Sequence, residues 1–149
     1  MLRDRSLHPL SHQHQHGLAL CVVVERGLTR DSSPENLTAL AKKIRYSFEV
    51  ELVNHFDLEE RLLFPAIRGH LGEMAIVGEL VADHRKLEKM VGGLRAPAEL
   101  RAFTALLSAH IRREERELFE DIQGRLPREA LDQLGTAFEA EAVRVCLPG

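Results

Sequence analysis

The chain has 149 residues, 44% of them apolar and 29% charged, with a formal net charge of −3; this describes one globular domain long enough to bury a core without disulfide staples. No basic block occurs, and six Phe, one Tyr and no Trp leave no aromatic stacking platform, so a nucleic-acid footprint is excluded. Cys21 and Cys146 stand far apart and outside any CxxC pair, as expected of a reducing, cytoplasmic setting, and the apolar run at residues 18–24 is too short to span a membrane.

Hydrophobic periodicity is helical from end to end, with no alternating strand pattern. The first helix is predicted over residues 9–28; Leu7 just before it and Leu10, His14, Leu18, Cys21, Val24 or Glu25, and Leu28 mark one face at spacings of three and four. The stretch "TRDSSPE" breaks the chain. Ser33 is placed to cap a second helix, with Pro34 at its first position and Glu35 in its first turn. That helix is expected to run to about Phe64 and to be closed by Pro65 and the glycines Gly69 and Gly72.

A third helix is expected from near Glu73 to the Gly92-Gly93 pair, and a fourth from Pro97 to about Gln123, with Gly124 as its cap. A shorter fifth helix, over about residues 127–145, carries the stripe Leu131, Leu134 and Phe138 and is expected to cover the others. The pattern predicts an all-α fold in a single domain, residues 1–149. An up-down-up-down four-helix bundle forms the core at about residues 9–124, and the short C-terminal helix is additional.

Two segments repeat one phrase. "HFDLEERLLFP" begins at His55 and "HIRREERELFE" at His110. Residues four apart lie on one side of a helix, so His55 pairs with Glu59 and His110 with Glu114. Phe48, Leu52, Leu62 and Leu63 surround the first pair, and Phe103, Leu106, Leu107 and Leu118 the second; both pairs therefore point inward. His14 sits in the first helix's stripe. His84 is flanked by Val77, Leu80, Val81, Leu87 and Val91. Each of the four long helices thus supplies one inward histidine, and two also supply a glutamate.

A buried ionised carboxylate costs several kcal/mol unless compensated. A cation removes that difficulty, since imidazole nitrogen and carboxylate oxygen are both ligands. Four His and two Glu exceed the four ligands of a structural zinc. Such a set suits non-haem iron or manganese, with two ions bridged by the glutamates. Glu60 and Glu115, one residue further on, are rotated about 100° and are expected to be solvated or paired with Arg61 and Arg116.

Taken in order, "LSHQHQHGL", "HFDLEERLLFP", "LVADHRKL" and "HIRREERELFE" resemble the segments of the hemerythrin HHE cation-binding family over about residues 10–123. The resemblance implies a four-helix bundle holding two non-haem iron ions, oxo- or hydroxo-bridged, with manganese and zinc as alternatives. It implies binding or sensing of dioxygen, nitric oxide, iron or redox state. It carries His14, His55, Glu59, His84, His110 and Glu114 as metal ligands. In the family's oxygen carriers the last carboxylate lies five residues after its histidine, which would select Glu115; in many bacterial relatives it lies four after, which selects Glu114. Helix facing favours Glu114, about 40° from His110, over Glu115, about 140° away.

The carriers also place a second histidine one turn from the first on the third helix. Here those positions are Leu80 and Glu88, so Glu88, His16 or His12 would have to supply an extra ligand. Two other functions compete. A ferritin-like oxidase or iron-handling enzyme carries Glu-x-x-His on its helices, and no histidine of this chain has a glutamate three residues before it. HExxH, the mark of a zinc protease, is also absent. A helical interaction module with a structural metal is the third reading. The favoured expectation is a metal-binding protein rather than an enzyme. Its partner would be a small gas ligand, with neither nucleic acid nor membrane, and a homodimer is left open.

Overall fold

The computed structural model describes residues 2–144. A single 3-10 turn, Arg5–Leu7, leads into helix α1, His8–Arg30. Helix α2 is an unbroken helical run over residues 34–71 that contains two wide π turns, Phe48–Leu52 and Glu59–Leu63. Helix α3 is Ala75–Val91. Helix α4 runs over residues 97–123 and contains one π turn, Glu114–Phe119. Helix α5 is Arg128–Glu141. The last predicted residues of the fifth helix, and Cys146, lie outside the described residues. Among the described residues there is no strand, and no helix is long and apolar enough to cross a membrane.

The predicted punctuation holds at several ends. The Ser33 side chain accepts the Asn36 N–H, with Pro34 at the first helical position of α2. Gly72 ends α2 at φ +83°, a left-handed conformation that glycine adopts without steric cost. Helix α2 does not end at Pro65, however, and continues to Leu71. The physical reason is the π turn before it. There the Phe64 N–H bonds the Glu59 carbonyl, five residues back, so the ordinary ladder is already shifted where proline would otherwise interrupt it.

Contacts between helices fix their directions. Gln13 meets Asn54 while the Asn36 side chain reaches the Gly27 carbonyl, so α1 and α2 run antiparallel. Ser11 meets Glu115 while Thr104 meets Glu25, so α1 and α4 do too. His110 with Asp83 and Arg113 with Glu79 give the same relation for α3 and α4. The arrangement is compatible with a helical bundle.

The apolar interior is divided in two. One cluster gathers Leu20, Val24, Ile44, Phe48, Phe56, Leu87, Phe103, Leu107 and Ile111 with their neighbours. The other gathers Leu7, Leu10, Leu58, Leu63, Phe64, Leu80, Leu118 and Phe119. Along each of the four long helices one cluster gives way to the other close to the inward histidine, after Phe56 on α2 and after Ile111 on α4, so the polar residues form a layer between the two. Helix α5 covers the second cluster with Leu131, Leu134 and Phe138, all buried; burying each such side chain contributes roughly 1.5–3 kcal/mol.

Helix α5 is tied down against the chain's start. Arg128 forms a two-pronged ion pair with Asp4 at 2.7 and 3.0 Å, and that guanidinium holds the Asp4 carboxyl well below the usual carboxylate range. A Cβ at Gly135 would stand 3.0 Å from the Ser6 Cα and 3.1 Å from its Cβ. Because the nearest atom is backbone, Gly135→Ala is expected to push α5 off the Arg5–Leu7 turn and to destabilise by about 1–3 kcal/mol. Urea denaturation of the two proteins checks this, and a stabilising alanine would show that the turn yields freely.

Candidate metal centre

All six inward residues are where helical periodicity puts them, and all are buried: His14, His55, Glu59, His84, His110 and Glu114, with both glutamates at 0% exposure. They fall into two groups that share both carboxylates. His14 and His55 join Glu59 and Glu114 in one; His84 and His110 join the same two glutamates in the other. Within each group the nitrogen and oxygen atoms all lie within 4.8 Å of one another, so each group could hold a metal ion.

The closest approaches are His14 Nε2 to Glu114 Oε1 at 2.8 Å and His84 Nε2 to Glu59 Oε1 at 3.2 Å. His55 Nε2 lies 3.4 Å from Glu59 Oε1, and His110 Nε2 lies 3.6 Å from Glu114 Oε2. None of these contacts is aligned as a hydrogen bond: all four Nε2 atoms and all four carboxylate oxygens are buried without a hydrogen-bond partner. Buried polar atoms in native proteins are almost always paired, so eight converging orphans require an explanation. Two ligand atoms bound to one ion at about 2.1 Å stand about 3.0 Å apart at a right angle and about 3.4 Å at the tetrahedral angle. The observed separations match that spacing, and the donor set fits a cation.

The other ring nitrogen of each histidine is committed. His14 Nδ1–H donates to Glu115 Oε2 at 2.9 Å, His84 Nδ1–H to Glu60 Oε2 at 2.8 Å, and His110 Nδ1–H to Asp83 Oδ2 at 2.9 Å. His55 Nδ1–H donates to the Gln13 side-chain oxygen at 2.8 Å. These four bonds fix one tautomer, with the proton on Nδ1 and the lone pair of Nε2 aimed inward. Phe56 stacks on the His84 ring at 3.9 Å and Phe119 on His14 at 5.4 Å, which closes the flanks of the layer with apolar surface.

The expectation for Glu60 and Glu115 is corrected here. Glu60 holds His84 and pairs with Arg85, while Arg61 turns away to Asp57 and Glu141. Glu115 holds His14, accepts from the Ser11 hydroxyl and pairs with Arg3. A position about 100° from the inward direction is the seam with the next helix, not the solvent side, so each second glutamate of the repeated phrase orients a histidine on its neighbour. Both π turns at the phrase begin at its first glutamate, Glu59 and Glu114. Gln13 and Asp83 were not legible as functional residues, because an isolated amide or carboxylate beside a histidine carries no spacing signal. Of the candidate extra ligands, Glu88 pairs with Arg85, His16 with Glu51, and His12 is exposed; none joins either group.

Charge in the layer is finely balanced. Burial, and then the Glu114 carboxylate beside it, push the Glu59 carboxyl well above the usual range. Burial would raise Glu114 as well, but contacts from Glu59, His14 and His55 hold it well below. Burial pushes the His84 imidazole down to about 3, with His110 adding to the effect.

An acid whose folded pKa is raised opposes folding increasingly as pH rises above its unfolded value, here 4.5. In chelator-treated protein, Glu59→Gln is therefore expected to stabilise, by a margin that widens as pH rises from 4.5 toward neutrality. Denaturation at a series of pH values checks this. A Gln variant that is less stable, with no trend in pH, would contradict the charge balance described.

The model of the hemerythrin HHE cation-binding domain matches residues 5–122, most of the chain and all six inward residues. No curated protein and no solved structure matches it. The family match covers the α1–α4 segments that bring together the two histidine pairs and their shared carboxylates, and the chain belongs to the hemerythrin HHE cation-binding family.

Proposed function

We propose that this protein holds two non-haem iron ions in the core of an up-down-up-down four-helix bundle and uses them to bind or sense a small gas, dioxygen or nitric oxide. His14 and His55 would hold one ion, His84 and His110 the other, and Glu59 and Glu114 would bridge them. One observation carries the reading: eight buried nitrogen and oxygen atoms converge without hydrogen-bond partners, and the two carboxylates belong to both groups. The donor set is imidazole and carboxylate with no thiolate, which suits iron or manganese more than a structural zinc.

The ions, when bound, supply redox chemistry and a coordination position for the gas. The chain's own residues do the rest. Each Nδ1–H bond keeps its imidazole facing inward before metal arrives, so little ordering entropy remains to be lost on binding. The two apolar clusters and the rings of Phe56 and Phe119 keep bulk water from the layer. Two histidines and two shared carboxylates per ion leave positions unfilled by protein, which a gas ligand requires.

Metal analysis of protein purified without added metal is expected to find two irons per chain. The visible spectrum of the reduced protein is expected to gain a charge-transfer band on exposure to air or nitric oxide. A single tightly held zinc with no spectral response would overturn the proposal. His55→Ala or His110→Ala should each remove most of one ion, and Glu114→Ala should release both or leave one. Metal binding to the folded state alone should raise stability by about 2.7 kcal/mol at a hundredfold excess over Kd.

A graded effect is expected around that set. Asp83→Ala and Glu115→Ala each remove the acceptor that holds a histidine and should weaken metal binding about 10–100-fold, less than loss of the histidine itself. Competition with a chelator of known affinity measures both. A silent Glu115→Ala would show that packing against Phe119 suffices to hold His14.

A further inference from the structure

His55 differs from the other three histidines. Their Nδ1 partners are carboxylates of Glu115, Glu60 and Asp83, whereas His55 bonds a neutral amide, Gln13. A carboxylate partner fixes an imidazole and makes it a stronger donor; an amide fixes it only as well as the amide is itself held. Gln13 is buried, and both of its N–H bonds are committed. One goes to Asn54 Oδ1 at 2.9 Å, the other to the Val143 carbonyl at 3.3 Å. With the NH2 so engaged, the oxygen must face His55.

Asn54 ties the same segment twice more. Its Oδ1 accepts the Val143 N–H at 2.9 Å, and its Nδ2 donates to the Glu141 carbonyl at 3.0 Å. The Glu141 carboxylate pairs with Arg61, two residues beyond Glu59 on α2. Residues 141–143, the last residue of α5 and the two that follow it, are thus strapped to α1 and α2 at the level of His55. The strap is not buried: Val143 is 37% exposed and, with Ala142 and Phe138, lines a surface groove of about 400 Å³ whose wall also includes Gln13. Two hydrogen bonds, Val143 to Gln13 and Gln13 to His55, therefore join a surface residue to a buried imidazole.

We propose that residues 141–143 are a positioning strap for His55, acting through Asn54 and the Gln13 amide, so that with glutamine at position 13 the ion held by His14 and His55 is retained only while the strap is seated, whereas the ion held by His84 and His110 is indifferent to it. Asn54 and Gln13 are positioning residues in this reading and touch no ion. The inference rests on the two-ion reading above, and the two fail in different ways.

Asn54→Ala in the full-length chain releases the strap without altering any of the six inward residues. Chelator competition is expected to show one ion weakened about 10–100-fold and the other unchanged. In metal-free protein, the His55 Nδ1–H signal is expected to exchange with solvent at least about tenfold faster by NMR, while that of His110 does not change. Equal weakening of both ions, or no weakening of either, overturns the strap. If the parent protein binds no metal pair, the two-ion reading fails, and unchanged His55 N–H exchange in Asn54→Ala then overturns the strap independently.

Gln13→Glu separates positioning from general loosening. It keeps an acceptor for His55 but has no N–H for Asn54 or Val143. Metal retention is expected to survive it, and Asn54→Ala added to Gln13→Glu is expected to cost nothing further. An undiminished cost of Asn54→Ala in that background shows that Asn54 acts through something other than Gln13 and overturns the proposal. Should Asn54→Ala fold poorly, Gln13→Glu alone decides: the ion held by His14 and His55 must be retained and His55 N–H exchange must not rise, and weakened retention or faster His55 exchange overturns the proposal.

Discussion

Two carboxylates, Glu59 and Glu114, lie side by side in the interior with no solvent exposure and no hydrogen-bond donor on any of their four oxygens. Much of the structure is arranged around that constraint. A buried pair of like charges is unstable unless one is neutralised or a cation is shared between them. The neighbouring groups offered to them are four imidazoles, each turned so that a lone pair and not a proton faces the carboxylates. Neutral rings therefore do not relieve the pair by donating hydrogen bonds; only an added proton lets one do so, and despite burial and the neighbouring His55, Glu114 and Glu115 hold the His14 imidazole above its usual range. That leaves protons taken up within the layer, or a metal ion, as the compensation.

The helices are built to hold this layer in place. Apolar clusters lie on both sides of it, so hydrophobic burial clamps the polar level from two directions, near the middle of α2, α3 and α4 and in the N-terminal third of α1. Wide π turns begin at both glutamates. Such turns give up regular ladder geometry, and here they set the carboxylates where two pairs of histidines from different helices can reach them. Acceptors behind the histidines, three carboxylates and one amide, come from the helix next to each ring, so the orientation of every imidazole depends on a helix–helix seam. Metal affinity and bundle packing are coupled for that reason.

The sequence by itself determined a good deal. Ser33-Pro34, Gly72, Pro97 and Gly124 mark helix ends through local backbone chemistry, which needs no partner. The inward set His14, His55, Glu59, His84, His110 and Glu114 followed from spacing alone, because a period of 3.6 residues puts a side chain on a face whatever lies opposite. The repeated His-x3-Glu phrase gave the chemistry, since buried carboxylates beside imidazoles have few physical resolutions. The choice of Glu114 over Glu115 for the buried group was legible on the same ground.

What only the tertiary structure decided concerns the seams. That Glu60 and Glu115 orient His84 and His14, and do not pair with their own neighbours Arg61 and Arg116, depends on which helix lies beside which, and residue spacing along one helix is silent on that. Gln13, Asn54 and Asp83 gain their roles only from partners tens of residues away. The passage of α2 through Pro65 depends on the π turn before it, which begins at the buried Glu59. Local sequence encodes direction around one helix axis; the identity of what a side chain meets is set by packing between axes.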